Sequence, residues 1–315
     1  MATTADYLDK LVTQKNALAD NLVTKGVTAT HDETLETLVP KVLEISGGSG
    51  GGDGIYPIGE DGYPYGDVII PEGVTSISSD SDNNKRKSCF YANANVNTVK
   101  IPNSMQTLGY KGFMESSLTN VILGTNPNIT KIDTYCFYSC ENLKSIYIPA
   151  KVSSIGMYAF YYCIALTSVV FEEGSQITEI PNHLFNGCVS LTDITIPTGV
   201  TTLGASAFYN CGKMTHISLP NTITSINANP SSSSNTFYNC TALETVNLEQ
   251  DFNCNIAINF SKVLTNAAEM LTKLKNLTGE TAKTITFAKA VYDGLTAEEI
   301  AVATNKNWTV ASYGS

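Results

Sequence analysis

Between Leu143 and Pro220 one pattern of apolar and polar positions is repeated three times. A short β-type run comes first, then a polar turn, then an aromatic residue followed three positions later by cysteine. Leu143–Pro149 precedes Ala159-Phe160-Tyr161-Tyr162-Cys163, Leu166–Phe171 precedes Leu184-Phe185-Asn186-Gly187-Cys188, and Leu191–Pro197 precedes Ala207-Phe208-Tyr209-Asn210-Cys211. Six residues after Phe160, Phe185, Phe208 and Phe237 stand Leu166, Leu191, Met214 and Leu243. A spacing of 23 to 25 residues with short β-type runs is the mark of a solenoid. Each unit is too small to bury its own apolar face, so neighbours stack and share one core.

The units are anchored on strand triplets: Val68–Ile70, Val99–Ile101, Val121–Leu123, Ile146–Ile148, Val169–Phe171, Ile194–Ile196, Ile217–Leu219 and Val246–Leu248. Alternation along a strand sends the outer two residues of each triplet inward and the middle one outward. Pro71, Pro102, Pro149, Pro197 and Pro220 end five of the strands, where a residue without an N–H is tolerated. A second apolar pulse follows each strand (Ile77, Leu108, Ile132, Ile155, Ile180, Leu203, Ile226). Two units carry polar insertions at the same phase, residues 78–88 and 227–235, which predicts loops on one side.

Outside the repeat the periodicity changes. Tyr7, Leu8, Leu11, Leu18 and Leu22 form a helical stripe, Gly26 suits its end, and Thr30 with Glu33 can cap a second helix. Residues 1–46 therefore read as a helical hairpin. It is too small to stand alone and needs itself, an assembly or the solenoid as partner. Residues 47–54 are a Gly-rich linker, with neither the GxGxxG nor the GxxxxGK[ST] phosphate pattern. After residue 248 the rhythm stops. A strand over Cys254–Phe260, a helix carrying Val263, Leu264, Ala267, Met270, Leu271 and Leu274, and a strand over Lys283–Phe287 are predicted. A helix opened by a Thr296/Glu299 capping box and a last strand at Trp308–Val310 complete the set. Residues 249–315 thus make a C-terminal α/β cap, with Trp308 buried beneath it.

The cysteines change the picture only in being excluded from chemistry. Cys140, Cys163, Cys188 and Cys211 recur at the repeat period, which places them at one inward position on successive turns as free thiols. There is no CxxC pair, and His31, His183 and His216 are far apart, so no metal or cofactor is expected. No nucleophile, base and orienting group can be assembled, and Glu172-Glu173 and Glu298-Glu299 read as turn or helix-start acids, so no enzyme is expected. A formal charge of −10 argues against nucleic acid and anionic membranes. No apolar run is long enough to span a bilayer, and MATTADYLDKLVTQK lacks the form of a secretory signal.

Residues 149–166, PAKVSSIGMYAFYYCIAL, follow the pattern IPxxVxxIGxxAFxxCxxLxxIxIP almost position for position. On that ground residues 66–250 resemble the BspA-like, treponemal class of leucine-rich repeats, departing at Asn93 and Ser116 where cysteine is usual. The resemblance implies a right-handed solenoid with a parallel sheet on its concave face, and surface adhesion or host-protein binding rather than catalysis. The endings LTGETAKTITF and LTAEEIAVATNKNW are similar to those that accompany such repeats, which supports the cap. The segment DYLDKLVTQKNALADNLVTKGVTATHDETLETLVPKVLEI resembles tail-associated proteins of phages and prophages of gut Firmicutes, which implies docking to a virion or tail-like particle.

The expected fold class is accordingly an α/β-type leucine-rich-repeat solenoid (55–248) between a helical hairpin and a cap. Its expected function is recognition of a protein or glycan partner by the concave face, with possible self-association through the N-terminal helices. The setting would be extracellular, at a cell surface or on a virion. The outward row reads Lys100, Ile122, Tyr147, Val170, Thr195, Ser218 and Asn247, and Asp193 and His216 stand in the row beside it. Ile122, Tyr147 and Val170 are apolar where a solvated sheet would favour Ser or Thr, which suggests a recognition patch or, alternatively, cross-strand stabilisation alone. A tail-associated receptor-binding protein, a bacterial surface adhesin and a passive spacer all remain open at this level.

Overall fold

A computed structural model of the chain describes residues 65–79, 90–261 and 263–314. The expected hairpin, the linker, the start of the solenoid and most of the first insertion lie outside the described residues.

Each rung contributes two parallel strands. The first row is β1 Gly66–Ile69, β3 Val96–Ile101, β5 Asn120–Leu123, β7 Ser145–Ile148, β9 Ser168–Phe171, β11 Asp193–Thr195, β13 His216–Leu219 and β15 Thr245–Leu248. The second pulse forms a row of two-residue strands: β2 Ser76–Ile77, β4 Thr107–Leu108, β6 Lys131–Ile132, β8 Ser154–Ile155, β10 Glu179–Ile180, β12 Thr202–Leu203 and β14 Ser225–Ile226. The chain is a repeat solenoid, as its periodicity predicts, of the leucine-rich-repeat class that the resemblance implies.

A single eight-stranded sheet is not what forms. The first row is paired in three segments, β1-β3-β5, β7-β9 and β11-β13-β15. The strand before each break, β5 or β9, is followed by Gly124 or Glu172 instead of proline. Its turn to the second row is longer by two residues: Ile132 lies nine positions after Leu123, whereas Ile155 lies seven after Ile148. The second row is in register directly after the first long turn, where β6 pairs with both β4 and β8. Contact persists across the first break through the Lys144 amide, which donates to the Thr119 carbonyl at 3.3 Å.

The core is a spine of phenylalanines. Phe90, Phe113, Phe137, Phe160, Phe185, Phe208 and Phe237 are buried. Successive centroids lie 5.0, 5.1, 5.3, 5.7, 5.7 and 5.8 Å apart. From Phe113 to Phe160 the rings are nearly parallel, at 4° and 5°. The cysteines beside them are free and buried, and they are more than apolar filler. Each thiol donates to the phenylalanine carbonyl one rung back: Cys140 to Phe113 at 3.0 Å, Cys163 to Phe137 at 3.1 Å, Cys188 to Phe160 at 3.2 Å, Cys211 to Phe185 at 3.2 Å and Cys240 to Phe208 at 3.1 Å. Each of these carbonyls already accepts from the amide three residues on, as Phe137 does from Cys140 at 3.1 Å, and the thiol of the next rung adds a second bond to its remaining lone pair. Burial pushes the Cys140 and Cys240 thiols up to about 12, so they stay protonated donors. Ser116 and Asn93 occupy the same inward place and are also buried.

Glycine follows the second strand on alternate rungs, at Gly109, Gly156 and Gly204, while Asp133, Pro181 and Asn227 hold the place between them. The reason is steric. A Cβ on Gly156 would stand 2.2 Å from the Thr134 amide nitrogen of the preceding rung, and one on Gly204 would stand 2.5 Å from that of Asn182. Backbone cannot yield there as a side chain can. Gly156→Ala is expected to cost about 1–3 kcal/mol, read from urea unfolding. Gly212→Ala, where a Cβ meets nothing within 4 Å, is the control and should be close to neutral.

The cap is a parallel sheet of β16 Ile256–Ile258, β17 Lys283–Ala288 and β18 Trp308–Tyr313 with three short helices, α1 Ala267–Lys273, α2 Lys289–Tyr292 and α3 Ala297–Thr304. Strand β16 is shorter than the run Cys254–Phe260 suggests, and α1 begins four residues after the expected Val263. Asn266 accounts for that start. Its Oδ1 accepts from the Val246 amide at 3.1 Å and its Nδ2 donates to the Val246 carbonyl at 3.0 Å, so one side chain closes the free edge of β15. The capping box of α3 forms in both halves: the Thr296 amide donates to Glu299, and the Glu299 amide to the Thr296 hydroxyl.

Candidate recognition surface

Alternation in the first row turns one residue of each rung outward, and the ladders set these residues side by side. Ile69 neighbours Lys100, and Lys100 neighbours Ile122. Tyr147 neighbours Val170, and Thr195, Ser218 and Asn247 form a run of three. Ile69 is 62% exposed, Ile122 44%, Tyr147 43% and Val170 49%. Lys100, Thr195 and Asn247 are exposed and Ser218 is half-buried. The run is tied together where Asn247 Nδ2 donates to Ser218 Oγ at 3.4 Å. In the neighbouring row Asp193 pairs with His216, both exposed. The Thr192 hydroxyl donates to Asp193 Oδ2 at 2.9 Å, and Thr215 Oγ1 lies 2.7 Å from His216 Nδ1.

The face therefore has two halves. Apolar residues dominate its first five rungs, interrupted by Lys100, and hydroxyls and amides its last three. Ile69 went unread in the sequence, yet it is the most exposed large apolar residue of the row.

Along the ends of β9, β11, β13 and β15 the face opens into a groove of about 720 Å³. Its floor includes Val170, Phe171, Pro197 and Pro220, and four carboxylates line it: Glu172, Glu173, Asp193 and Glu249. Of the expected contact residues the groove gathers Val170, Asp193, Thr195, Ser218 and Asn247, and Lys100, Ile122, Tyr147 and His216 lie outside its walls. The acids had a signal in the sequence. Glu172 and Glu249 stand in the slot that proline fills on five other rungs, and a residue there with a side-chain acceptor can clip the neighbouring turn. Glu172 Oε2 accepts from the Ala150 amide at 2.7 Å, and Glu249 Oε2 from that of Asn221 at 3.1 Å. Glu72 does the same on the first rung with the amides of Asn103 and Ser104, which hold its carboxyl below the usual range. Partial desolvation, then the neighbouring Glu172 carboxylate, raises the Tyr147 phenol above its ordinary value.

A second aromatic feature follows the Phe–Cys turns. Tyr135 stacks on Tyr158 at 5.1 Å, Tyr158 on His183 at 4.7 Å, Tyr138 on Tyr161 at 4.9 Å and Tyr209 on Tyr238 at 5.0 Å. Tyr135, Tyr158 and Tyr162 have φ values of 60°, 61° and 56°, a left-handed backbone that bulky residues seldom adopt. Tyr135 and Tyr158 stack across rungs, whereas Tyr162 packs on Tyr161 of its own turn at 4.7 Å.

The second insertion is closed by its own side chains. Ser231 donates to Asn229, Asn235 donates to the Asn229 carbonyl, and the Phe237 amide donates to Asn235 Oδ1 at 2.7 Å. Among the described residues no cluster of three metal-ligating side chains occurs, and no helix is long and apolar enough to cross a membrane.

The family described as the BspA type leucine rich repeat region matches in six copies, over residues 65–176 and 155–280. No curated protein matches the chain significantly. Among solved structures, a leucine rich cell surface protein of Faecalibacterium prausnitzii is 26% identical with a TM-score of 0.36, and the alignment covers 59% of this chain and 60% of that one. The leucine-rich repeat protein of T. pallidum is 19% identical with a TM-score of 0.45, covering 82% of this chain and 96% of that one. A leucine-rich repeat protein of Eubacterium ventriosum is 19% identical with a TM-score of 0.33, covering 78% and 72%.

Proposed function

We propose, because this chain belongs to the BspA-type leucine-rich-repeat family, that it is a non-enzymatic binding protein whose first strand row recognises a protein or glycan receptor. Its setting is a cell surface or a phage tail. The single observation that carries this reading is the exposed apolar row Ile69, Ile122, Tyr147 and Val170 on a rigid parallel scaffold, where solvation alone would select Ser or Thr. Tyr147 is its anchor, a large amphipathic ring with two rotatable bonds, exposed beside Val170. The tail-associated setting is supported by the likeness of the N-terminal segment to phage tail-associated proteins. Surface display is supported by the repeat family itself.

The test is binding of the full chain to intact bacterial and epithelial cells, wild type against Tyr147→Ala. A roughly tenfold loss, equivalent to about 1.4 kcal/mol, with nearly unchanged Tm supports the reading. Undiminished binding overturns it, and so does a Tm loss as large as that from emptying the core.

A further inference from the structure

The groove beside the apolar row is lined by carboxylates and by no lysine, arginine or histidine. The ion pairs of the described residues lie elsewhere, at Lys131–Asp133, Lys275–Glu280 and Lys289–Asp293. Glu172, Glu173, Asp193 and Glu249 thus bring four acidic side chains from three rungs to one depression with no basic residue in its lining, His216 standing outside it as the strand partner of Asp193. Two of them, Glu172 and Glu249, are held in place by backbone amides. Ser175 Oγ, in the wall of the same groove, is buried with no hydrogen-bond partner. The floor of Val170, Phe171, Ile196, Pro197, Leu219 and Pro220 is apolar.

We infer that the partner is a polypeptide bound in extended form across the rungs, with apolar residues over Ile122, Tyr147 and Val170 and lysine or arginine side chains in the groove among Glu172, Glu173, Asp193 and Glu249. This rests on the reading of the first strand row as the recognition face. The physical case is complementarity of both kinds. The methylene stems of lysine and arginine lie along an apolar floor while their heads reach carboxylates at its rim. A cationic side chain is attracted by the acids along the groove, which a neutral sugar is not. Guanidinium groups meet fixed carboxylates in a geometry that costs little further ordering. The formal charge of −10 on the whole chain favours encounter with a basic segment over an acidic one. Eight rungs at about 4.8 Å give a face of roughly 35 Å, the length of about ten extended residues.

The experiment is fluorescence anisotropy on the full chain with two labelled peptides of about ten residues. Both carry a Leu/Val half; the other half is Lys/Arg in one and Asp/Glu in the second. The basic peptide should bind at least about tenfold more tightly than the acidic one, and weaken several-fold between about 50 and about 300 mM salt. The triple variant Glu172→Gln, Glu173→Gln, Glu249→Gln keeps the oxygen acceptors that clip the turns, so Tm should hold while basic-peptide binding falls about tenfold. Equal binding of the two peptides, indifference to salt, or full binding by the triple variant overturns the inference. Loss of cell binding in Tyr147→Ala together with full cell binding by the triple variant preserves the recognition face and rejects the basic partner. Intact cell binding by Tyr147→Ala rejects the face itself.

Discussion

Phe160→Ala should destabilise the protein by about 3–5 kcal/mol. At roughly 2–4 °C per kcal/mol for a domain of this size, scanning calorimetry should record a Tm lower by roughly 6–20 °C. Phe160 is fully buried and stacks on Phe137 at 5.3 Å and on Phe185 at 5.7 Å, so truncation opens a void in the middle of the spine. Neither neighbour can slide in, because its own position is fixed by the rung it belongs to. The loss also falls where a solenoid is most exposed to it: an interior rung supports the interfaces on both of its sides. A drop no larger than that of Tyr147→Ala, on the adjoining surface, would show that the aromatic spine is not what holds the rungs together.

Trp308→Ala is the second large effect, about 3–5 kcal/mol, and it acts on the end of the solenoid. Trp308 is 3% exposed and its indole N–H donates to the Lys275 carbonyl at 2.9 Å. The residues before it serve the same junction. Lys306 Nζ donates to the carbonyls of Thr272 and Leu274 at the end of α1, and Asn307 Nδ2 to those of Leu277 and Glu280. Removing the indole therefore empties the interior of the cap and orphans the Lys275 carbonyl. Trp308→Phe retains most of the buried ring and loses the hydrogen bond, so it should cost only about 1–2 kcal/mol. Equal loss in the two variants would assign the whole effect to the hydrogen bond and none to burial.

The burial of Trp308, the capping box at Thr296 and Glu299, the free thiols and the outward row were all readable along the chain, because each follows from local periodicity or from a short-range motif. Ile69 was left out of the outward row, although the Val68–Ile70 triplet already turns it outward. The start of α1 was misjudged because Val263 and Leu264 continue the helical stripe, whereas Asn266 is already committed to the edge of β15. The groove was legible only in fragments. Glu172 and Glu249 were visible as departures from the proline slot, but lie 77 positions apart in the chain. The stacked tyrosines gave no signal either, since a tyrosine at a turn reads as an isolated surface residue until its equivalent on the next rung is placed beneath it.

The sequence alone determined the period, and with it which residues enter the core and which face solvent, since side-chain alternation within a strand is a property of three consecutive residues. What the tertiary structure decided is everything that passes from one rung to the next. It divided the first strand row into three paired segments and aimed each thiol at the carbonyl of the phenylalanine one rung back. It required glycine where backbone meets backbone, and gathered acids from three rungs into one groove. Those contacts depend on the rise and lateral offset between rungs, which turn length and core packing set together and which no single repeat contains.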